Sequence, residues 1–350
     1  MTERFQMMLA WLESLPILKG CNVSEPVVAS SDASFRRYFR VEVESDPDSR
    51  IELAKTYIIM DAPPEQESSE PFIKISNQLV KLGLQVPKVL EQDLKQGFLL
   101  LSDLGETTYL SKLENATESE VDVLYQDALK ALVKLQILGK KDSESLPPYN
   151  AELFNSEMDL FTEWLLGTHL ERPLSALEES EWDKVKLMLI DSALAQPKVY
   201  VHRDYHSRNL MATRRDNPGI LDFQDAVYGP LTYDAVSLLR DCYIAWPEEQ
   251  VREWQRSYFF QLCKGRLIAN DEWNEFTRSM DLMGVQRHLK AAGIFARLYH
   301  RDGKDGYLKD IPLTLNYIVQ VGANYPELEW LVKLIEDEVL THKLIQTAKK

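Results

Sequence analysis

The stretch "VHRDYHSRNLM", residues 201–211, decides the fold. It places two His, two Arg, one Asp and one Asn in the eight positions 202–209, directly behind the apolar run "VYV". A concentration of polar groups beside a buried strand needs a cause, because buried polar groups are costly without partners. Three interpretations are open at this point: a metal-binding nest, a catalytic loop and a solvated surface turn.

The residues that follow predict a β-hairpin. "LMATRRDNPGILDF", residues 210–223, consists of an apolar strand, a turn at 216–219 and a return strand that ends at Asp222. Folding about this turn brings the start of the first strand near the end of the second, so we expect Asn209 to lie close to Asp222. Asp204 lies in the loop that leads into the same strand. The sequence therefore predicts three oxygen-bearing side chains at one end of the hairpin.

This set of side chains suits phosphoryl transfer. Magnesium prefers oxygen ligands, usually one or two carboxylates together with phosphate oxygens and water. Asn209 and Asp222 could hold such ions against a nucleotide, and Asp204 could accept the proton of a substrate hydroxyl. The order H-R-D, then Asn, then Asp before Phe is the pattern of the protein-kinase catalytic loop. We therefore expect a kinase that uses ATP and Mg²⁺.

The two other interpretations explain less. His202, Asp204 and His206 alternate, so an extended strand would project them to one face, and His/carboxylate sets bind zinc and iron. The chain has only six His in all, and the other four follow no ligand spacing. A solvated loop with His202 held in the core accounts for the crowding but leaves Asn209 and Asp222 without a role.

Composition narrows the class of protein. The chain has 350 residues, 45% of them hydrophobic, and a formal charge of −15. A field of that sign repels nucleic acid and anionic membranes, and no basic block offsets it. Three scattered cysteines indicate neither a disulfide framework nor a cysteine zinc site. No apolar run approaches the roughly 20 residues that span a bilayer, so we expect a cytoplasmic protein without nucleic-acid or membrane partners.

The predicted organisation has two parts. Short strand patterns, among them 35–44 and 56–60, and one helix at 72–82 dominate residues 1–101. Long helical patterns dominate residues 102–350, at 151–167, 178–194, 230–245, 248–263, 272–298 and 326–346. We therefore predict an α+β fold of the protein-kinase type with a nucleotide-binding lobe over 1–101 and a catalytic and substrate-binding lobe over 102–350. The first is a small antiparallel-β lobe, and the second is a larger helical lobe that contains the hairpin. The clearest helix start is a capping box, Thr117 with Glu120.

Four stretches together resemble the aminoglycoside phosphotransferase family, and within it the sugar anomeric kinases of bacterial cell-wall recycling. They are "SSDASFRRYFRV" (30–41), "MDAPPE" (60–65), "HRDYHSRNLM" continued by "ILDFQDAVYGPLTYDAVSLLRD" (202–241), and "QRHLKAAGIFARLYHRDGKDGYLKDIP" (286–312). The resemblance implies a protein-kinase-like fold and phosphorylation of the anomeric hydroxyl of N-acetylmuramate or N-acetylglucosamine. It also implies that Asp204 is the catalytic base and that Asn209 and Asp222 are magnesium ligands.

The resemblance places the nucleotide as well. It puts "SSDASFRRYF" at the nucleotide-binding loop, with contacts predicted from Ser31, Ser34, Phe35, Arg36 and Arg37, and the interlobe hinge at Ser102, Asp103 and Leu104. Two features depart from the pattern. The loop has no glycine, and Met60 stands where kinases carry their phosphate-pairing Lys. We expect an Arg of the 36–40 segment to replace that Lys.

The sequence says less about the acceptor site than about the catalytic loop or the nucleotide site. Predicted substrate contacts are Glu157, Trp164, His206, Arg208, Asp225 and Arg301, and either Arg301 or Lys304 is expected to reach a substrate carboxylate. Asp225 could instead contact metal, or could orient the catalytic loop through Arg203. Two alternative functions stay open: a kinase of aminoglycosides or other amino alcohols, since an acidic chain suits a cationic substrate, and a catalytically degenerate module that binds nucleotide.

Overall fold

The computed structural model describes residues 2–30, 35–44 and 54–348. The strands in this part of the chain are short. In chain order they are β1 Asn22–Val23, β2 Val27–Ser30, β3 Arg37–Glu44, β4 Thr56–Asp61, β5 Val89–Asp93, β6 Phe98–Ser102, β7 Lys198–Val201, β8 Leu210–Met211, β9 Gly219–Ile220 and β10 Val227–Pro230.

The helices are more numerous and longer. They are α1 Glu3–Ser14, α2 Glu70–Lys81, α3 Tyr109–Leu113, α4 Glu118–Leu138, α5 Lys140–Ser143, α6 Ala151–Leu160, α7 Ala176–Leu194, α8 Tyr233–Leu239, α9 Glu248–Lys264, α10 Trp273–Asp302, α11 Ile311–Gly322, α12 Glu329–Lys333 and α13 Lys343–Ala348. Two of them continue as π-helix, α6 over Phe161–His169 and α12 over Leu334–Val339.

The chain forms two compact units. The first comprises Met1–Glu106 and Thr213–Gln224, and the second comprises Thr107–Ala212 and Asp225–Lys350. The segment that holds β9 thus belongs with the N-terminal residues. The lobe boundary predicted between residues 101 and 102 stays a prediction.

The first unit is built on an antiparallel sheet in the order β1-β3-β4-β6-β5, with β2 also paired to β3. Alternation along β3 and β4 sends Phe39, Val41, Tyr57 and Ile59 to one face, where they are buried. The apolar side of α1 covers that face with Met8, Trp11 and Leu12. The helix α2 buries Phe72, Ile75 and Leu79. The predicted strands at 35–44 and 56–60 and the helix at 72–82 are therefore present, with bounds shifted by one or two residues.

The second unit is mainly helical. Its longest helix, α10, is buried on most sides along its middle, from Met280 to Lys290, including charged residues that a surface helix would expose. The strands β7 and β10 pair antiparallel, with Val201 opposite Val227. The capping box predicted at Thr117 and Glu120 is formed, and each side chain accepts a hydrogen bond from the backbone N–H of the other.

Three helix predictions need correction. The pattern at 230–245 is helical only over α8, Tyr233–Leu239. The pattern at 326–346 is not one helix, because a 3₁₀ turn, α12, the π-helical stretch and α13 follow one another there. The pattern at 151–167 changes to π-helix at Phe161, so the helix no longer advances 3.6 residues per turn. No helix among the described residues is both long and apolar enough to cross a bilayer.

Candidate active site

The polar loop 202–209 follows directly from β7, whose last residue is Val201. A buried carboxylate on α8 holds its start: Asp234 accepts the backbone N–H of His202 at 2.6 Å and that of Arg203 at 2.9 Å. Two adjacent N–H groups captured by one carboxylate fix the direction in which the chain leaves the strand. Arg203 has φ of +79°, a strained value for a residue with a side chain, and the Asp234 contacts stabilise it.

Further bonds hold the rest of the loop. Asp241 accepts the N–H groups of Ser207 and Tyr243 at 2.9 Å and 3.0 Å. The Asn209 side-chain amide donates to the Asp204 carbonyl at 3.0 Å, which ties the predicted metal ligand to the predicted catalytic base. The loop is therefore an ordered scaffold and not a solvated turn, since buried carboxylates from outside it hold its backbone.

His202 supports the loop from within. It is 1% exposed, and its Nδ1 accepts the N–H of Asp204 at 3.2 Å. That bond uses the lone pair of Nδ1 to hold the loop backbone. Among the residues the structure describes, no group of three or more His, Cys, Asp and Glu side chains is placed to hold a metal ion. His202 therefore has a structural role, which is to hold the backbone of the loop.

The Asp204 carboxylate is held in its ionised form. Burial by itself would raise the pKa of Asp204, but the positive charge of Lys290, followed by smaller effects of His206, His202 and Arg203, outweighs burial and lowers it. An ionised carboxylate can orient a substrate hydroxyl and accept its proton as a bond to phosphorus forms. The electrostatics therefore fit the role predicted for Asp204.

A buried carboxylate on α6 lies at the centre of the surrounding charges. Glu157 pairs with Arg203 at 2.6 Å and with Lys290 at 2.9 Å, and its second oxygen accepts the Tyr149 hydroxyl. Burial would raise the pKa of Glu157, but Lys290 and Arg203 lower it. Arg203 is thus oriented by Glu157, and the interpretation that Asp225 orients it is wrong, because the fold places α6 against the loop.

A cavity of about 90 Å³ opens beside the loop within the second unit. Asp204 and His206 line one side of it, and α10 supplies Arg287 and Lys290 on another. Apolar side chains, among them Phe295, complete the walls. A carboxylate that faces a cavity with buried cations is an arrangement that can receive a polar small molecule.

The predicted metal ligands lie in the two different units. Asn209 belongs to the second, whereas Asp222 belongs to the first, where it accepts Gln224 Nε2 at 2.8 Å. Asp222 has φ of +60°, in the left-handed region that Asp tolerates better than most residues. An amide oxygen and a carboxylate are hard oxygen donors, so this donor set fits Mg²⁺. Their joint site stays a prediction.

The nucleotide loop is described only in part. Ser31 and Ser34 lie outside the described residues, and Phe35 is 65% exposed. Both arginines that follow have carboxylate partners: Arg36 pairs with Glu67 at 2.7 Å, and Arg37 pairs with Asp61. The Arg37 side chain is 46% exposed and that of Arg36 is 3% exposed, so Arg37 is the more available to a phosphate.

The hinge segment contains an ion pair that the sequence did not suggest. Asp103 is paired with Arg40 through both of its oxygens, at 2.6 Å and 3.0 Å. The N–H of Ser102 already bonds the Lys88 carbonyl at 3.0 Å. A backbone contact to adenine would therefore come from Asp103 or Leu104 in preference to the Ser102 N–H.

The predicted acceptor residues fall in different environments. Arg301 forms a bidentate pair with its neighbour Asp302, and its side chain is 55% exposed. Asp225 is exposed. Trp164 is half-buried in the π-helical stretch, so the α-helical spacing that placed it on one face with Glu157 does not apply.

Two predicted residues lie at or near the cavity. His206 lines it, and its ring packs edge-on against Tyr243. The Arg208 guanidinium lies 4.8 Å from the Tyr243 ring centroid and 5.1 Å from that of Tyr307. Burial lowers the pKa of His206, which favours the neutral ring.

Sequence reasoning missed Arg287 and Lys290. Both lie in the stretch "QRHLKAAG" that carried part of the family resemblance, three residues apart on one side of α10. The available signal was a pair of cations inside an otherwise apolar helical pattern, where charges are rare unless they are paired or functional.

Residues 27–269 match the phosphotransferase enzyme family, which is more than half of the chain. The chain belongs to this family. An N-acetylmuramate/N-acetylglucosamine kinase of Pseudomonas putida is 47% identical to this phosphotransferase over 309 residues, 88% of this chain and 87% of the relative. A kinase of the same name from Pseudomonas aeruginosa is 42% identical over 339 residues, 95% and 96% of the two chains.

A solved structure supports the fold of this phosphotransferase. The ADP-bound aminoglycoside phosphotransferase APH(2'')-Ib superposes with a TM-score of 0.57, covering 91% of this chain and 98% of that chain at 15% identity. At so low a sequence identity, the superposition is evidence for the fold alone. The family resemblance, the protein-kinase-like fold and the assignment to kinases, all predicted from the sequence, are confirmed.

Proposed function

We propose that this phosphotransferase transfers the γ-phosphoryl group of ATP to the anomeric hydroxyl of N-acetylmuramate and N-acetylglucosamine. The observation that carries the proposal is the ionised Asp204 carboxylate on the wall of the cavity, within a fold whose relatives at 42% and 47% identity are named kinases of these two sugars. The cavity is too small for a macromolecule, and its polar and apolar walls suit part of a sugar.

The residues of the loop account for the chemical step. Asp204 binds the acceptor hydroxyl and orients one of its lone pairs toward the γ-phosphorus. As the new oxygen–phosphorus bond forms, the bond from the γ-phosphorus to its bridging oxygen breaks, ADP leaves, and the hydroxyl proton passes to the Asp204 carboxylate. Asp234 and Asp241 maintain the loop in the geometry that this step needs, because they hold its backbone N–H groups.

Asn209 and Asp222 would hold Mg²⁺, and Arg37 would contribute positive charge toward the nucleotide phosphates. Bound magnesium neutralises the charge that develops on the phosphate oxygens. The contribution of this chain is to hold the Asn209 amide through its bond to the Asp204 carbonyl, so that the metal ligand and the base are positioned together.

A substrate panel tests the proposal. The purified protein is incubated with ATP and Mg²⁺ and, in separate reactions, with N-acetylmuramate, N-acetylglucosamine, kanamycin and choline. We expect one added phosphoryl group on the two sugars by mass spectrometry, with a ³¹P signal of an anomeric phosphate. Phosphorylation of kanamycin or choline, with neither sugar modified, would show that the proposed acceptor is wrong.

A further inference from the structure

Arg287 is a buried cation whose hydrogen-bonding capacity is largely unused. It is 6% exposed on α10. A guanidinium has five N–H donors. Among the described residues, its one hydrogen bond goes to Cys242 Sγ at 3.5 Å, a weak acceptor, and no carboxylate lies within ion-pair distance. Nearby acidic groups, among them Asp241 and Asp204, balance its charge from a distance, but most of its N–H donors have no hydrogen-bond partner among the described residues.

The other cation of the cavity does not share this property. Lys290 is paired with Glu157 at 2.9 Å and bonds the Tyr233 hydroxyl at 3.0 Å. Its contacts are satisfied within the protein, and its charge already acts on Asp204 and Glu157. Arg287 is therefore the cavity cation that is available to a ligand.

A second polar side chain lines the same space. His206 is 9% exposed, but its Nδ1 is a buried atom without a hydrogen-bond partner among the described residues, so that nitrogen is not accessible from the cavity. The carboxylate of Asp241 lies close enough to act on both Arg287 and His206 by charge, but its oxygens accept the backbone N–H groups of Ser207 and Tyr243. The unused donors of Arg287 thus point to a polar ligand group within the cavity.

The size of the cavity limits what that ligand group can be. Pockets that enclose a whole ligand are typically about 300 Å³ or more. A volume of about 90 Å³ is smaller than that and holds a substituent of a few heavy atoms. Since Asp204 lines the same space, the substituent belongs to the molecule whose hydroxyl Asp204 orients. The group that matches a guanidinium fork is a carboxylate, which accepts two parallel N–H bonds.

We infer that Arg287 is the specificity-determining residue of the acceptor site and binds the carboxylate of an acid sugar. This inference rests on the proposed function: of the two sugars, N-acetylmuramate carries a lactyl carboxylate and N-acetylglucosamine does not. Arg287 thereby takes the role that the sequence had suggested for Arg301, whose guanidinium is paired with Asp302.

The test is a ratio of specificities. The kcat/KM for N-acetylmuramate divided by that for N-acetylglucosamine is measured for the wild type, Arg287→Met and Arg287→Lys. We expect the ratio to fall about ten- to a hundred-fold in Arg287→Met, the scale of a lost charge-assisted hydrogen bond, and less in Arg287→Lys, which keeps the charge but not the fork. Arg278→Met is the matched control on the same helix, because Arg278 is 42% exposed and pairs with Glu327.

A substrate variant makes the test independent of how well the substituted protein folds. The methyl ester of N-acetylmuramate lacks the charge, so in the wild type its kcat/KM falls about ten-fold or more below that of the acid. In Arg287→Met the acid and the ester become similar. Two results would overturn the inference and leave the proposed function intact. One is that the wild type uses the acid and the ester equally well. The other is that Arg301→Met shifts the ratio and Arg287→Met does not. If the wild type phosphorylates neither sugar, the proposed function and the inference fail together.

Discussion

Glu157→Gln is the substitution whose effect follows most directly from the packing. The Glu157 side chain is 6% exposed, and its two charged partners are also largely buried, Arg203 at 21% and Lys290 at 10% exposed. Glutamine keeps the shape but removes the negative charge. Two cations in a poorly solvated space then lose the carboxylate that pairs with both of them, and only the more distant charge of Asp204 still acts on them. Removing one partner of a buried ion pair in this way is costly.

The expected loss is about 3 kcal/mol, the lower end of the range for breaking a buried ion pair, since Arg203 keeps some contact with solvent. For a unit of this size, 1 kcal/mol corresponds to about 2 to 4 °C in the melting temperature, so we expect a decrease of about 6 to 12 °C. Differential scanning calorimetry at pH 7.5 measures it. A double variant with Lys290→Met should regain part of the loss, because one of the two cations that lost the Glu157 carboxylate is gone.

The matched control is Glu163→Gln, a position exposed in the helical segment that continues α6. Exposed substitutions of this type change stability by about 0.5 kcal/mol or less. If Glu157→Gln melts within 2 °C of the wild type while the control behaves as expected, the ion pairs of Glu157 do not contribute the stability predicted for them.

Two further predictions follow. His288 is buried, and burial together with the nearby Arg287 lowers its pKa to about 3, so below about pH 6.5 the unfolded chain binds a proton that the folded chain excludes. The difference in unfolding free energy between the wild type and His288→Gln should therefore shrink by about 2 to 3 kcal/mol between pH 6.5 and 4.5. Urea unfolding at the two pH values measures this difference, and a constant value would contradict the prediction. Arg37→Ala should raise the KM for ATP about ten-fold if Arg37 replaces the missing phosphate-pairing Lys. If Arg37→Ala and Arg36→Ala both leave the KM for ATP and the turnover unchanged, the prediction that one of these arginines replaces the Lys is wrong.

The sequence predicted those features that depend on local pattern. The capping box at Thr117 requires only residues three apart, and the strands of the first unit required only period-two alternation. The loop 202–209 could be assigned because its polar residues are contiguous and their spacing is dictated by chemistry. These features are determined by neighbours in the chain, so they can be read without knowing the fold.

The surroundings of the loop could not be predicted, because they depend on packing between distant segments. Glu157 meets Arg203 across 46 positions of the sequence. Arg287 was passed over for Arg301, since a helical pattern alone does not say which of several cations on α10 is buried. The change from α to π geometry at Phe161 has no sequence signature of its own, and it altered the face on which Trp164 lies.

The central claim is that the Asp204 carboxylate orients the acceptor hydroxyl and takes its proton. Its most direct test is the turnover of Asp204→Asn with N-acetylmuramate, ATP and Mg²⁺, compared with Asp183→Asn, a substitution on the exposed surface of α7. We predict that Asp204→Asn loses on the order of a hundred-fold or more in kcat, with its melting temperature and ATP binding retained, whereas Asp183→Asn matches the wild type. A folded Asp204→Asn variant that phosphorylates the sugar at the wild-type rate would contradict the claim.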